Sequence, residues 1–143
     1  MIQDDNGQIA LEYILIFAIS LLLLIVFTLP LAEMTIEDTF DVSDSLKVKS
    51  DLYKISHAVM KVYGEGQGSK QTVFIQSDKS LSINVESEGV STNLKLKNNV
   101  YKKININYNS KLPKTSISIK KGLNTIIVEW PVDSKNMKIY KKY

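Results

Sequence analysis

The chain has one histidine, His57, and no cysteine among its 143 residues. Disulfides, thiolate metal sites and thiol catalysis are therefore excluded together, and His57 has no acid–base relay around it. On a helix it falls opposite the apolar stripe of its segment, where a solvated surface histidine belongs. Glu86 and Glu88 are spaced as a carboxylate pair, but they precede Gly89 and read as a hairpin tip. The other acids of the second half are scattered and form no metal cluster. Gly64-Glu65-Gly66-Gln67-Gly68-Ser69 is glycine-rich, yet it follows a helix and precedes a strand, the reverse of a phosphate-binding loop. Lys102-Lys103, Lys120-Lys121 and Lys141-Lys142, interleaved with Tyr101, Tyr108, Tyr140 and Tyr143, have the composition of a nucleic-acid surface. A solvated Lys-rich sheet face with its aromatics in the core accounts for the same residues, and nucleic acid is set aside as a partner. No catalytic residue, metal or cofactor is expected, and the chain does not read as an enzyme.

One carboxylate stands out. Glu12 lies just inside an apolar run in which, from Ile9 to Leu29, only Glu12, Ser20 and Thr28 are polar. A charge at the centre of a bilayer-spanning helix costs about 2.5–3.5 kcal/mol on insertion scales, and less near an end. Glu12 therefore needs a reason and a partner. It could mark the N-terminal edge of an ordinary anchor, since acidic side chains favour the first turn of a helix. That reading does not explain why Gly7-Gln8 precedes it at this spacing.

As a helix the run is about 31 Å long, close to the roughly 30 Å hydrocarbon thickness of a membrane. It spans once, and no later segment is long enough to span again. A conventional secretory signal fits poorly. Met1 to Gly7 holds no basic residue, the apolar stretch is long, and Pro30-Leu31-Ala32 is a weak cleavage site. The nearest basic residue on the far flank is Lys47, so charge gives little orientation.

Gly7, Gln8, Ala10 and Glu12 together resemble the class III signal peptide of archaeal type IV pilin-like proteins. The resemblance covers roughly residues 6 to 30. It implies that a class III prepilin-type signal peptidase cuts after Gly7, leaving Gln8 as the new N-terminus and Glu12 as the fifth mature residue. It also implies that Glu12 neutralises the terminal amine of a neighbouring subunit and sets its register. Pro30, counted from Gln8, falls near the point where helices of that family commonly bend or melt. The leader lacks the basic residues usual in the family.

The remaining elements follow from periodicity. Pro30 lacks an N–H and disfavours helical geometry at Leu29, so a kink or interruption of the helix is expected there. Helix resumes from Glu33, first acidic and thinly apolar. Val48, Leu52, Ile55, Val59 and Val62 then form one stripe at +4, +3, +4, +3 spacing. Gly64 suits a left-handed C-cap. From Gln71 the period switches to two. Seven strands are expected, separated by turns at Glu88-Gly89, Asn98-Asn99, 109–114, Lys121-Gly122 and 133–136. The fold class is α+β: a long N-terminal helix, membrane-spanning then amphipathic, followed by a small antiparallel β-sandwich or barrel-like domain. The boundaries are 1–7 leader, 8–30 transmembrane or filament-core helix, 31–63 acidic then amphipathic helix, 64–70 connector, and 71–143 Lys-rich β domain.

Charge is divided along the chain. Residues 1–63 carry four Lys and nine Asp or Glu, a net −5, while residues 64–143 carry fourteen Lys and six acids, a net +8. Such asymmetry points to interaction surfaces. Acidic residues between Glu33 and Asp44 of one copy could lie beside Lys-rich faces of others, and anionic surfaces are the other candidate contact. The leading expectation is a pilin-like structural and adhesive subunit. It would be held in the cytoplasmic membrane by one helix, with its C-terminal domain outside. After processing it would assemble with copies of itself or related pilins into a helical surface filament. The alternatives are a single-pass anchored β-sandwich binding module and an accessory or minor subunit that does not itself polymerise.

Overall fold

The computed structural model describes residues 5–97 and 99–142, with side chains from Ile9 onward. The first four residues of the expected leader, Asn98 of the Asn98-Asn99 turn, and Tyr143 lie outside these. The described chain is one helix, α1 (Asp5–Glu65), followed by seven strands: β1 (Lys70–Ser77), β2 (Leu81–Glu86), β3 (Gly89–Lys95), β4 (Tyr101–Asn107), β5 (Thr115–Ile119), β6 (Gly122–Glu129) and β7 (Lys138–Lys142). It divides into two compact units, the first ending at Phe40 and the second being Asp41–Tyr143.

In the first unit α1 runs through Pro30. Of the two outcomes expected at that proline, the interruption does not occur. The pyrrolidine ring removes only the N–H that would reach the Val26 carbonyl, and the leucine-rich sequence on the N-terminal side has high helix propensity. Hydroxyls in this unit turn inward on their own helix. Ser20, Thr28, Thr35 and Thr39 each donate from the side chain to the carbonyl four residues earlier, at 2.6–2.9 Å.

The second unit begins with the C-terminal part of α1. The expected stripe is its buried face: Leu52, Ile55, Val59 and Val62 are fully buried, and Val48 is partly so. Each such side chain contributes about 1.5–3 kcal/mol of burial. The helix ends later than expected. Gly64 is helical, and the left-handed residue is Gly66, at φ 85°. The Gly66 N–H donates to the Val62 carbonyl at 3.0 Å. The Ser69 hydroxyl lies 3.0 Å from that carbonyl and 2.6 Å from the carbonyl of Gly66. The cap moved because Glu65 prolongs the helix, leaving residues 66–69 as the connector.

The strands form two antiparallel sheets, β1-β6-β7 and β4-β3-β2-β5. Alternation sets the register. Val73 lies opposite Ile126, and Ile83 lies between Thr92 and Ile117. Inward residues of both sheets join the helix stripe in one core cluster. The outward face of the four-stranded sheet is mostly Ser and Asn, including Ser82, Asn84, Asn93 and Asn105, with Glu86, Lys95, Tyr101 and Lys103 also on it. Ile126, Ile127 and Val128 are buried in succession because β6 is the central strand of its sheet. Two open sheets are observed, so the barrel-like option falls away and the α+β layout stands.

The hairpin tips use specific chemistry. Ser87-Glu88 turns between Glu86 and its partner Gly89. A Cβ on Gly89 would lie 2.7 Å from the Ile106 carbonyl oxygen, a distance that only glycine permits. At the β5–β6 turn Gly122 takes φ 104°. Buried Asn124 closes that turn by accepting from the Lys120 N–H and donating to the carbonyls of Lys120 and Gly122.

Candidate functional site

The residues singled out in the sequence lie at the start of α1. Gly7 and Gln8 occupy its first turn, where leading N–H groups have no partner within a helix. Glu12 follows one turn later, among Ile9, Leu15 and Ile16 at helical spacing. Its side chain is exposed and, among the described residues, makes no hydrogen bond or ion pair. The large apolar side chains from Ile9 to Leu31 are all exposed, between 44% at Ile25 and 69% at Phe17. They cover every side of the helix. A helix apolar all round cannot remain in water and needs lipid or other helices about it. The segment is long and apolar enough to cross a membrane. The Ser20 and Thr28 hydroxyls are satisfied locally, whereas among the described residues the Glu12 carboxylate and the Tyr13 hydroxyl make no hydrogen bond, and Glu12 is the only ionised group of the two.

The second unit uses its acids internally. Asp44 accepts from Lys79 at 2.5 Å, and Asp78 accepts from Lys47 at 3.0 Å. The Asp41 carboxylate accepts from the backbone N–H of Lys97 at 3.0 Å. These contacts fasten the helix to the β1–β2 and β3–β4 turns. The hydrogen bond and charge of Asp78 hold the Lys47 ammonium above its usual range. Glu86 likewise raises Lys114, at 2.9 Å. The Glu86/Glu88 pair is thus a hairpin tip, as expected, with Glu86 bound to a lysine.

His57 is exposed on α1, as its spacing indicated. Of the tyrosines considered for stacking, Tyr108 is buried, whereas Tyr101 and Tyr140 are exposed. Expecting all of them in the core was therefore too broad: β4 begins at Tyr101, at the edge of its sheet, and Tyr140 lies on the outward face of β7. The Tyr108 hydroxyl is buried without a partner among the described residues. Burial pushes its pKa well above the usual phenol range, and the Glu86 carboxylate adds to the shift.

One cluster was not visible in the sequence. Trp130 stacks on Tyr63 at 5.8 Å between ring centroids, and Lys111 Nζ lies over the Trp130 ring at 5.3 Å from its centroid. Its indole N–H donates to the Ser134 carbonyl at 2.8 Å. Aromatic stacking and cation–π contact tie the helix end to the loops after β4 and β6. Only the pairing of an aromatic near a helix end with a strand-end tryptophan hinted at it. The cluster is structural, and among the described residues no group of three or more metal-ligating side chains is brought together.

Residues 6–31 match the family model described as class III signal peptide. No curated protein and no solved structure matches the chain. The matched segment coincides with the Gly7–Glu12 spacing and the exposed apolar helix. Signal peptide and helix together fit membrane anchoring and a surface pilus. The class III signal peptide supports a type IV pilin-like protein.

Proposed function

We propose that the chain is a pilin-like structural, adhesive subunit of an archaeal type IV pilus-like surface filament. The observation that carries this reading is the class III signal peptide match, lying on a helix whose apolar surface is exposed on all sides. The helix first holds the precursor in the cytoplasmic membrane, with the β domain outside. A prepilin-type peptidase cuts between Gly7 and Gln8. The mature helices then pack against one another in the filament core, where neighbouring copies or related pilins replace lipid around Ile9–Leu31. The new amine is positive at neutral pH. Glu12 of a neighbour pairs with it, which offsets the cost of immersing both charges in an apolar core. Pro30 marks where this helix would bend.

The N-terminal residue of protein isolated from native cells tests the reading. Gln8 is the expected result. A chain starting at Met1 would overturn it and favour a plain membrane anchor, and one starting near Glu33, with the apolar helix removed, would overturn it as well. Replacing Gly7 with Val should leave the precursor uncut, because the peptidase requires a small residue there. Glu12→Gln should insert in the membrane normally and assemble poorly. Unchanged filament yield from that variant removes the charge pair from the account.

A further inference from the structure

The sequence suggests that acids between Glu33 and Asp44 are free to meet lysines of another copy. The structure divides this stretch in two. Asp41 and Asp44 are already occupied within the second unit, by the Lys97 N–H and the Lys79 ammonium. Glu33, Glu37 and Asp38 in the first unit are exposed, with no ion pair among the described residues. Glu33, Glu37, Asp41 and Asp44 follow +4, +4, +3 spacing, the same series that continues into Val48 and Leu52. Like charges at i, i+4 repel on an isolated helix, so Glu33 and Glu37 favour a cationic partner.

Sheet topology gathers that partner at one end of the second unit. β1, β3, β5 and β7 all finish there, and β2, β4 and β6 start there. Lys95 is the last residue of β3, Lys120 and Lys121 form the β5–β6 turn, and Lys142 ends β7. Extending the registers Ile83↔Thr92 and Leu81↔Ile119 puts Lys95 and Lys120 in one row, two strands apart. That is about 10 Å at ordinary strand spacing. All four lysines are exposed, with no acidic partner among the described residues. Exposed Val100, Tyr101 and Leu123 lie among them and supply apolar contact.

We propose that this lysine end receives the Glu33–Asp38 segment of a second copy. The contact rests on the filament reading above and deepens it. Each chain carries both halves, an acidic segment in the first unit and a basic end in the second. Such a contact is heterologous, and repeated without closure it propagates an open helical filament. The Asp41 and Asp44 contacts are the intramolecular form of the same chemistry, one helical turn further along.

Charge exchange in the full-length chain tests it. Glu33→Lys with Glu37→Lys, and separately Lys120→Glu with Lys121→Glu, should each lower sheared filament yield about tenfold. Combining all four should restore most of it. Because the natural chain lacks cysteine, a second measurement guards against misfolding. Copies bearing Glu37→Cys mixed with copies bearing Lys121→Cys should form a disulfide-linked dimer on mild oxidation, at a yield above either variant alone. Wild-type filaments with unaffected reversal variants and no mixed dimer would overturn the contact and leave the filament reading standing. A Lys120/Lys121 defect that the acidic reversals do not rescue, again without mixed dimer, overturns it in favour of an anionic lipid or surface. A wild-type chain that stays uncut and forms no filament overturns both.

Discussion

Between Ile9 and Leu31 every large apolar side chain is exposed, whereas from Leu52 to Ile139 a continuous set of aliphatic side chains is buried almost completely. The two regions have similar side chains and opposite dependence on their surroundings. The second unit supplies its own apolar solvent: a helix stripe and the inward faces of two sheets. The first supplies none and must take it from lipid or from other helices. Polar groups follow the same division. In the second unit Asp44, Asp78 and Asn124 meet partners from distant parts of the chain. In the first, the serine and threonine hydroxyls bond to their own helix and Glu12 meets nothing among the described residues. Stability of the second unit is therefore intramolecular, while that of the first depends on its surroundings and, in a filament, on concentration.

The sharpest way to break this division is to cut matching side chains from both regions. Ile126→Ala removes a fully buried side chain from β6 and should destabilise the second unit by about 2–5 kcal/mol. Leu22→Ala should leave it unchanged. Urea unfolding of the full chain in detergent, followed by the fluorescence of its one tryptophan, Trp130, measures both. Equal losses from the two variants would show that the regions fold as one.

Two glycines sharpen the account of the second unit itself. Gly89→Ala forces a methyl against the Ile106 carbonyl at 2.7 Å and should cost about 1–3 kcal/mol. Gly64→Ala places a methyl in open space on a helix and should gain about 0.5–1 kcal/mol. The same unfolding experiment reads both, and the opposite signs are the expected result.

These glycines also show what sequence can and cannot reveal. Period-two alternation identified all seven strands, because inward positions such as Ile83, Val85, Ile104 and Ile106 are apolar and their neighbours are not. The +4, +3 stripe located the buried helix face for the same reason. The cap was misplaced by two residues, at Gly64 instead of Gly66, because either glycine can adopt φ > 0 and the choice depends on whether Glu65 stays helical. Pro30 was expected to be able to stop the helix, since local sterics weigh against it and the propensity of the whole turn does not enter a local rule. The partners of Asp41 and Asp44, and the Tyr63–Trp130–Lys111 cluster, depend on sheet topology. Nothing in the spacing of those residues encodes it. The class III signal peptide at residues 6–31 was legible because its pattern is a short run of local sequence that needs no tertiary contact.

A smaller effect probes the electrostatic fastening of the helix. Asp44→Asn removes the carboxylate partner of Lys79, a pair whose aspartate is only 22% exposed. Exposed pairs are worth about 0–1 kcal/mol, and this one should fall in that range. Its contribution should shrink as salt rises, because the Debye length falls from about 10 Å at 0.1 M to about 3 Å at 1 M. Parent and variant should therefore converge in stability at high salt. A gap of the same size at every salt concentration would assign the loss to packing.

The smallest effect at neutral pH should come from Tyr108→Phe. The hydroxyl is buried without a partner among the described residues, so its removal deletes an unsatisfied group and leaves the ring in place. The variant should be neutral or more stable by up to about 1 kcal/mol. Its signature lies at high pH. Burial raises the Tyr108 pKa in the folded state, with Glu86 adding to the shift, while in the unfolded chain a tyrosine titrates near 10. Above about pH 10 the unfolded state loses this proton and the folded state keeps it. Unfolding then releases a proton, and stability falls by up to about 1.4 kcal/mol per pH unit until the folded pKa is reached. The contribution is fully present below pH 10 and is lost as pH rises beyond it. Tyr108→Phe removes that one titration, so its stability should decline less steeply above pH 10 than the parent's, the remaining tyrosines and lysines being common to both. Parallel declines would mean that the Tyr108 hydroxyl reaches water in the folded protein.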